Sequence, residues 1–212
     1  MDVSPLTLNR LSIYLRCLRA LQQDGIVSVS SKELAEKFHL SAAQIRKDLT
    51  HFGDFGIRGV GYEVETLVTK LTEVLGLDKK HRLAIVGMGS LGSAFARHVG
   101  NGGGPFSFAA GFDSDPAKIG REVAGVVVEP VEAIAETIPC RGIQIGILAV
   151  PPAVAQETYD RLMESGIRSV LNFAPARLRG HEGAHTRNVD LRIYLEELVF
   201  YLSRSDEDDD AS

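Results

Sequence analysis

Tryptophan is missing from this 212-residue chain, and cysteine occurs only twice, as Cys17 and Cys140. Two thiols make neither a disulfide framework nor a zinc cluster, and no redox role is argued from them. Both are expected to be buried, as small apolar side chains. No stretch approaches the roughly 18–20 apolar residues that a membrane helix needs, and Met1-Asp2-Val3-Ser4-Pro5 lacks the layout of a secretion signal. The expected setting is the cytoplasm, with no membrane partner. A catalytic signature is also lacking. His39, His51, His81, His98, His181 and His185 form no recognisable acid–base constellation, and Gly180 and Gly183 argue against a helical metal pair at His181 and His185. No catalytic residue and no metal ligand is assigned.

Charge is unevenly divided. Residues 1–80 hold 11 Lys+Arg against 10 Asp+Glu, whereas 81–212 hold 12 against 18, five of those acids in 206–210. That run predicts a solvated, disordered tail over 205–212. In the first part, Leu8, Leu11, Ile13, Leu15, Leu18 and Leu21 predict a helix over 6–21 ending at Asp24-Gly25. Ser30 with Glu33 is a capping box opening a short helix over 31–38, and Ser41 with Gln44 opens another over 42–51, which Gly53 stops. The glycine-punctuated, β-prone stretch 56–64 predicts a hairpin, and 67–75 one more helix before a linker at 76–80. Three helices and a hairpin make a winged helix-turn-helix over 1–80.

On the helix opened by Ser41, Ile45 and Leu49 are four apart and face the core, which leaves Gln44, Arg46, Lys47 and Thr50 mostly outward. An apolar stripe with long polar donors opposite is what a helix lying in a DNA major groove requires. Arg58, between glycines of the hairpin, is placed to reach a minor groove or a phosphate. A charged helix face is ordinarily only solvated, and winged helices also serve protein contacts. The preceding helix, tight turn and caps favour the DNA reading.

From residue 81 the pattern becomes short apolar strands, at 83–86, 106–112, 126–128, 143–150 and 169–172, separated by helical stretches. This predicts an α/β fold with a Rossmann-like, doubly wound parallel sheet over 81–190. Gly87-Met88-Gly89-Ser90-Leu91-Gly92 follows the first strand and opens a helix. In such a turn the first glycine allows the bend, the second lets backbone approach a pyrophosphate, and the third seats the helix on the strand. Asp113, 21 residues beyond Gly92, ends the second strand, where a carboxylate binds ribose hydroxyls and repels a 2′-phosphate; NAD+ and NADH are therefore favoured. Val150-Pro151 and Asn172-Phe173-Ala174-Pro175 end later strands, where ligands of open sheets bind, although both could be simple turns. A last amphipathic helix covers 191–204.

These motifs resemble the redox-sensing transcriptional repressors called Rex over the whole chain except the acidic tail. The resemblance rests on Gln44-Ile45-Arg46-Lys47-Asp48-Leu49 with Phe52-Gly53, on Gly59-Val60-Gly61-Tyr62, on the glycine turn, and on Leu171-Asn172-Phe173-Ala174-Pro175. It implies a homodimer on an inverted-repeat operator in double-stranded DNA, released by NADH, with the 191–204 helix exchanged between subunits. It further implies a switch at Arg16 and Asp190, with His98 where a Tyr is common and Leu191 where an aromatic residue is common. A small NAD-dependent oxidoreductase, or a regulator taking a CoA-type nucleotide, are the competing readings.

Overall fold

The computed structural model describes residues 3–53, 55–57, 61–101 and 103–209. The chain divides into two compact units, 1–79 and 80–212.

The first unit begins with α1, Pro5–Gln23, where Ser4 accepts the Thr7 N–H and Pro5 occupies a position that needs no donor. After β1, Ser28–Val29, come α2, Ser31–Phe38, and α3, Ala42–Thr50. The expected capping box is formed at Ser30 and Glu33, and Ser41 caps α3. His39 ends α2 in the left-handed region, with φ 54°, which makes the turn between the helices tight. The hairpin strands β2, Gly56–Ile57, and β3, Gly61–Glu63, pair antiparallel, and β1 joins β3 on its other side. β1 was not foreseen, because two residues are too few for an alternating pattern. Next, α4 runs Val64–Val74, starting directly from β3 rather than at 67. Leu11, Leu18, Leu34, Ile45, Leu49, Leu67 and Leu71 fill one core from all four helices.

In the second unit the elements are β4, His81–Val86; α5, Ser90–Asn101; β5, Phe106–Asp113; β6, Glu122–Val123; β7, Val126–Pro130; α6, Ile134–Cys140; β8, Ile145–Leu148; α7, Pro152–Glu164; β9, Ser169–Asn172; β10, His185–Asn188; and α8, Leu191–Asp209. Among the described residues they form a seven-stranded sheet in the order β10-β9-β8-β4-β5-β7-β6, parallel except for β6. Alternation along β4 explains the unbroken burial of its last four residues, 83–86. Ala84 and Val86 join the core under α6 and α7, while Leu83 and Ile85 join the one that includes Ala96 of α5. Strand order reverses beside β4, the place where open sheets leave a crevice.

Two strands of this sheet escaped the sequence pattern. β6 is the short arm of a hairpin turned by Ala124 and Gly125, both at positive φ. β10 is a polar, mostly exposed edge strand. Of the thiols expected to be buried, Cys17 is and Cys140 is exposed, because α6 turns Ile134, Thr137 and Ile138 inward and leaves its last residue on the solvent side. Helix α8 continues past 204 into the first acids of the tail. Among the described residues no helix is long and apolar enough to cross a membrane.

Ile45, fully buried, seats α3 on this core. Ile45→Ala is expected to lower the unfolding free energy by about 2–5 kcal/mol, read from the urea midpoint at unchanged slope.

Candidate functional site

Helix α3 is held by a buried carboxylate that no motif in the sequence marks. Asp48 stands three residues from Ile45 on the same inward stripe and is only 4% exposed. A carboxylate there needs donors, and it has them from three directions. Arg10 of α1 reaches both oxygens, at 2.8 Å to Oδ1 through Nη2 and through Nε to Oδ2. The Tyr14 hydroxyl donates to Oδ2 at 3.0 Å, and the Gln44 side-chain amide to Oδ1 at 2.8 Å. The Arg10 hydrogen bonds, helped by those from Gln44 and Tyr14, hold the Asp48 carboxyl below its ordinary range against the opposing effect of burial. Burial and the neighbouring Asp48 push the Tyr14 phenol up to about 12.

This arrangement corrects the expected outer face of α3. Gln44 does not project outward; its amide is drawn in by Asp48. Thr50 spends its hydroxyl on the Arg46 carbonyl at 2.7 Å. Ser41 is occupied as the cap, accepting the Gln44 N–H at 3.4 Å. Arg46 and Lys47 are the exposed cations, with Arg46 steadied by a 2.8 Å bond to the Ser31 hydroxyl of α2. Arg58 lies outside the described residues.

The second site is built at the end of β4. Gly87 has φ +95°, and a Cβ there would collide with the Ala149 carbonyl; a Cβ at Gly92 would collide with the Gly87 carbonyl. Only glycine permits this turn and this seating of α5. At Gly89 a Cβ would meet nothing, so this backbone faces open space. That space is a cleft of about 700 Å³ whose lining includes Gly87, Gly89, Leu91, Asp113, Val150, Pro151 and Phe173. These seven, all expected from the sequence, come from four separate segments. Met88, Gly92, Asn172 and Ala174 lie buried, and Ser90 and Pro175 are exposed outside the lining. The reason is alternation at strand ends: Phe173 turns to the cleft and Asn172 away from it.

Asp113 is 6% exposed and already engaged. Its Oδ2 accepts the Met88 N–H at 2.8 Å and the Lys118 ammonium at 2.9 Å, and its Oδ1 accepts the Asp115 N–H at 2.9 Å. Burial works against ionisation here, but the Asp115 N–H, Lys118 and the Met88 N–H outweigh it and hold the carboxyl below its ordinary range. Lys118, Thr158 and Arg161 also line the cleft and were missed, since nothing in their spacing marks them. Of the four positions assigned to a switch, Arg16, His98, Asp190 and Leu191 are all exposed in their own units. Asp190 accepts the Arg192 N–H at 2.9 Å in the first turn of α8.

A carboxyl with a depressed folded-state pKa adds stability above about pH 4 that is lost as pH falls through the folded value. Asp48→Asn is therefore expected to cost about 3 kcal/mol at pH 7, the low end for a broken buried pair because Arg10 is partly exposed. In urea titrations the gap between wild type and variant should close below pH 4.

Residues 2–50 match the family model described as "Putative DNA-binding protein N-terminus", and residues 78–176 the one described as "CoA binding domain". The redox-sensing transcriptional repressor Rex of Syntrophomonas wolfei is 45% identical over 197 residues, covering 93% of this chain and 94% of that one. The crystal structure of RSP with β-NAD+ and operator DNA superposes with a TM-score of 0.92 at 37% identity, covering 99% of this chain and 97% of that one. RSP with β-NADH gives 0.89 at 35% identity, covering both chains fully, at 100%. With this identity extending over both units, the chain belongs to the Rex family of redox-sensing transcriptional repressors.

Proposed function

We propose that this chain is a homodimeric repressor that holds an inverted-repeat operator and releases it when NADH binds. The observation carrying this reading is the union, in one chain, of a capped helix presenting Arg46 and Lys47 with a glycine-turn cleft ending at Asp113. Relatives of the same architecture have been captured with operator DNA and β-NAD+, and with β-NADH.

On the DNA side, Arg46 pairs with a guanine edge while Lys47 holds phosphate, with Ser41 and Thr50 alongside and Arg58 as a further basic contact. Gln44 contributes only by leaving Asp48. On the nucleotide side, the open backbone at Gly89 and the start of α5 suit a pyrophosphate. Asp113 retains acceptor capacity for one ribose hydroxyl, and Lys118 stands beside it as a donor. Pro151 and Phe173 give the cleft an apolar wall that favours a neutral reduced nicotinamide over its cationic oxidised form. NAD(H) supplies the redox signal when bound; the chain supplies recognition and transmits it, without turnover. Arg16, His98, Asp190 and Leu191 carry the switch in this reading.

Homodimerisation is drawn from α8. Leu191, Ile193, Leu195, Leu198 and Val199 are each about 60% exposed, and a monomer gains nothing from so much apolar surface in water. Seating each such side chain is worth about 1.5–3 kcal/mol, and a second copy exchanging α8 is the occupant. Leu195→Glu combined with Leu198→Glu is expected to give a monomer by sedimentation velocity and to weaken operator binding by at least about tenfold, since both half-sites are no longer held together.

The decisive experiment is fluorescence anisotropy of a labelled fragment of the protein's own promoter, titrated separately with NADH, NAD+ and CoA. Release by NADH alone is expected; indifference to all three, or release by CoA alone, would overturn the redox reading. In the same assay Arg46→Ala is expected to cost about 1–3 kcal/mol in operator affinity and leave NADH affinity unchanged. Asp113→Ala is expected to weaken NADH binding while operator binding without nucleotide stays nearly intact.

A further inference from the structure

Asn172 is expected from sequence to touch nucleotide, yet it is 1% exposed and faces the interior. Its Oδ1 accepts the Ala174 N–H at 2.9 Å, which fixes the orientation of the amide. The Nδ2 side then meets three oxygens: the Ala174 carbonyl at 3.2 Å, the Ala176 carbonyl at 3.3 Å, and Asn188 Oδ1 at 3.0 Å. Two N–H groups serve three acceptors, and the bond across to β10 is the shortest. The backbone doubles this crossing, because the Val189 N–H donates to the Asn172 carbonyl at 2.8 Å.

What lies on each side of the amide gives the crossing its meaning. The next residue, Phe173, lines the cleft and stands edge-on to Phe95 of α5, with ring centroids 5.8 Å apart. On the far side, Asn188 and Val189 lead into Asp190, which accepts the Arg192 N–H in the first turn of α8. Among the described residues no strand lies beyond β10 in the sheet, so its end is located through β9. The Asn172 carbonyl is one peptide bond from Phe173, whose N–H donates to the Leu148 carbonyl at 2.8 Å, and the Asn172 carbonyl and amide both hold the segment from which α8 starts.

We infer that the Asn172–Asn188 hydrogen bond is a positioning link that passes the state of the nucleotide cleft to the root of α8. This rests on the reading that NADH governs operator release. The competing role for Asn172 is simple bracing of its own loop, which its bonds to Ala174 and Ala176 would satisfy without Asn188. The two roles part at Asn188, whose exposed side chain can be changed with little cost to folding.

The test uses full-length Asn188→Ala and Asn188→Asp, the second of which keeps an acceptor oxygen in place. Three quantities are measured: NADH affinity of the DNA-free protein, operator affinity without nucleotide, and the factor by which saturating NADH weakens operator binding. Asn188→Ala is expected to leave the first two within about twofold and to cut the third by about 2- to 30-fold, the range for a residue lying between coupled sites. Asn188→Asp should retain the wild-type factor. An unchanged factor in Asn188→Ala, or equal losses in both variants, would overturn the link. Wild-type protein whose operator binding ignores NADH would refute the repressor reading instead. The link is then judged by hydrogen exchange of the first-turn amides of α8, which NADH must alter in wild type and leave unaltered in Asn188→Ala.

Discussion

Arg10 and Asp48 join α1 to α3 through a charged pair whose carboxylate is buried and whose guanidinium is partly exposed, and the seating of α3 follows from keeping that carboxylate satisfied. The carboxylate cannot stay ionised inside without several donors, so Tyr14 and Gln44 are recruited as well. The cost of that recruitment is that α3 has little freedom to roll. Ile45 and Leu49 set how deeply the helix sits, and Asp48 sets its rotation about its own axis. Arg46 and Lys47 face solvent because the residues on either side of them are pinned inward.

Asp113 obeys the same constraint in the second unit. Its three donors come from the glycine turn, the following loop and Lys118, so one carboxylate ties the end of β5 to the turn after β4. The donor from Met88 is a backbone N–H, which makes the charge of Asp113 part of the shape of the turn. A residue read as a ligand thus also builds the site in which a ligand would lie. Binding and architecture are not separable at this position, and the same holds for Gly92, whose missing side chain lets α5 approach the strand.

Elements with strong periodicity were legible in the sequence. The apolar runs of β4, β5 and β9, the caps at Ser30 and Ser41, and the strand–turn–helix order around Gly87 all announced themselves, because burial on two faces or a capped terminus demands particular residue types. His185-Thr186-Arg187-Asn188 did not, since this strand is mostly exposed and has no fully buried face to impose alternation. Gln44 was assigned outward by helical geometry alone; what moved it inward was Asp48, whose partners come from residues 38 and 34 positions away. The signal for Asp48 was available, as an acid three residues from Ile45 on an apolar stripe. Lys118 and the inward turn of Asn172 had no such signal, because each depends on which way a strand end points once the sheet has formed.

The exposure of α8 carries a consequence for how this protein exists at low abundance. If a second copy covers the apolar residues of α8, as proposed above, the folded-state free energy includes the concentration of that copy. Dilution then acts like a mild denaturant, favouring species with that surface bare, while accumulation stabilises every copy already made. A cell that makes few copies of such a chain would hold much of it in a form prone to proteolysis or aggregation. Copy number and fold stability would in this way be two readings of a single mass-action equilibrium.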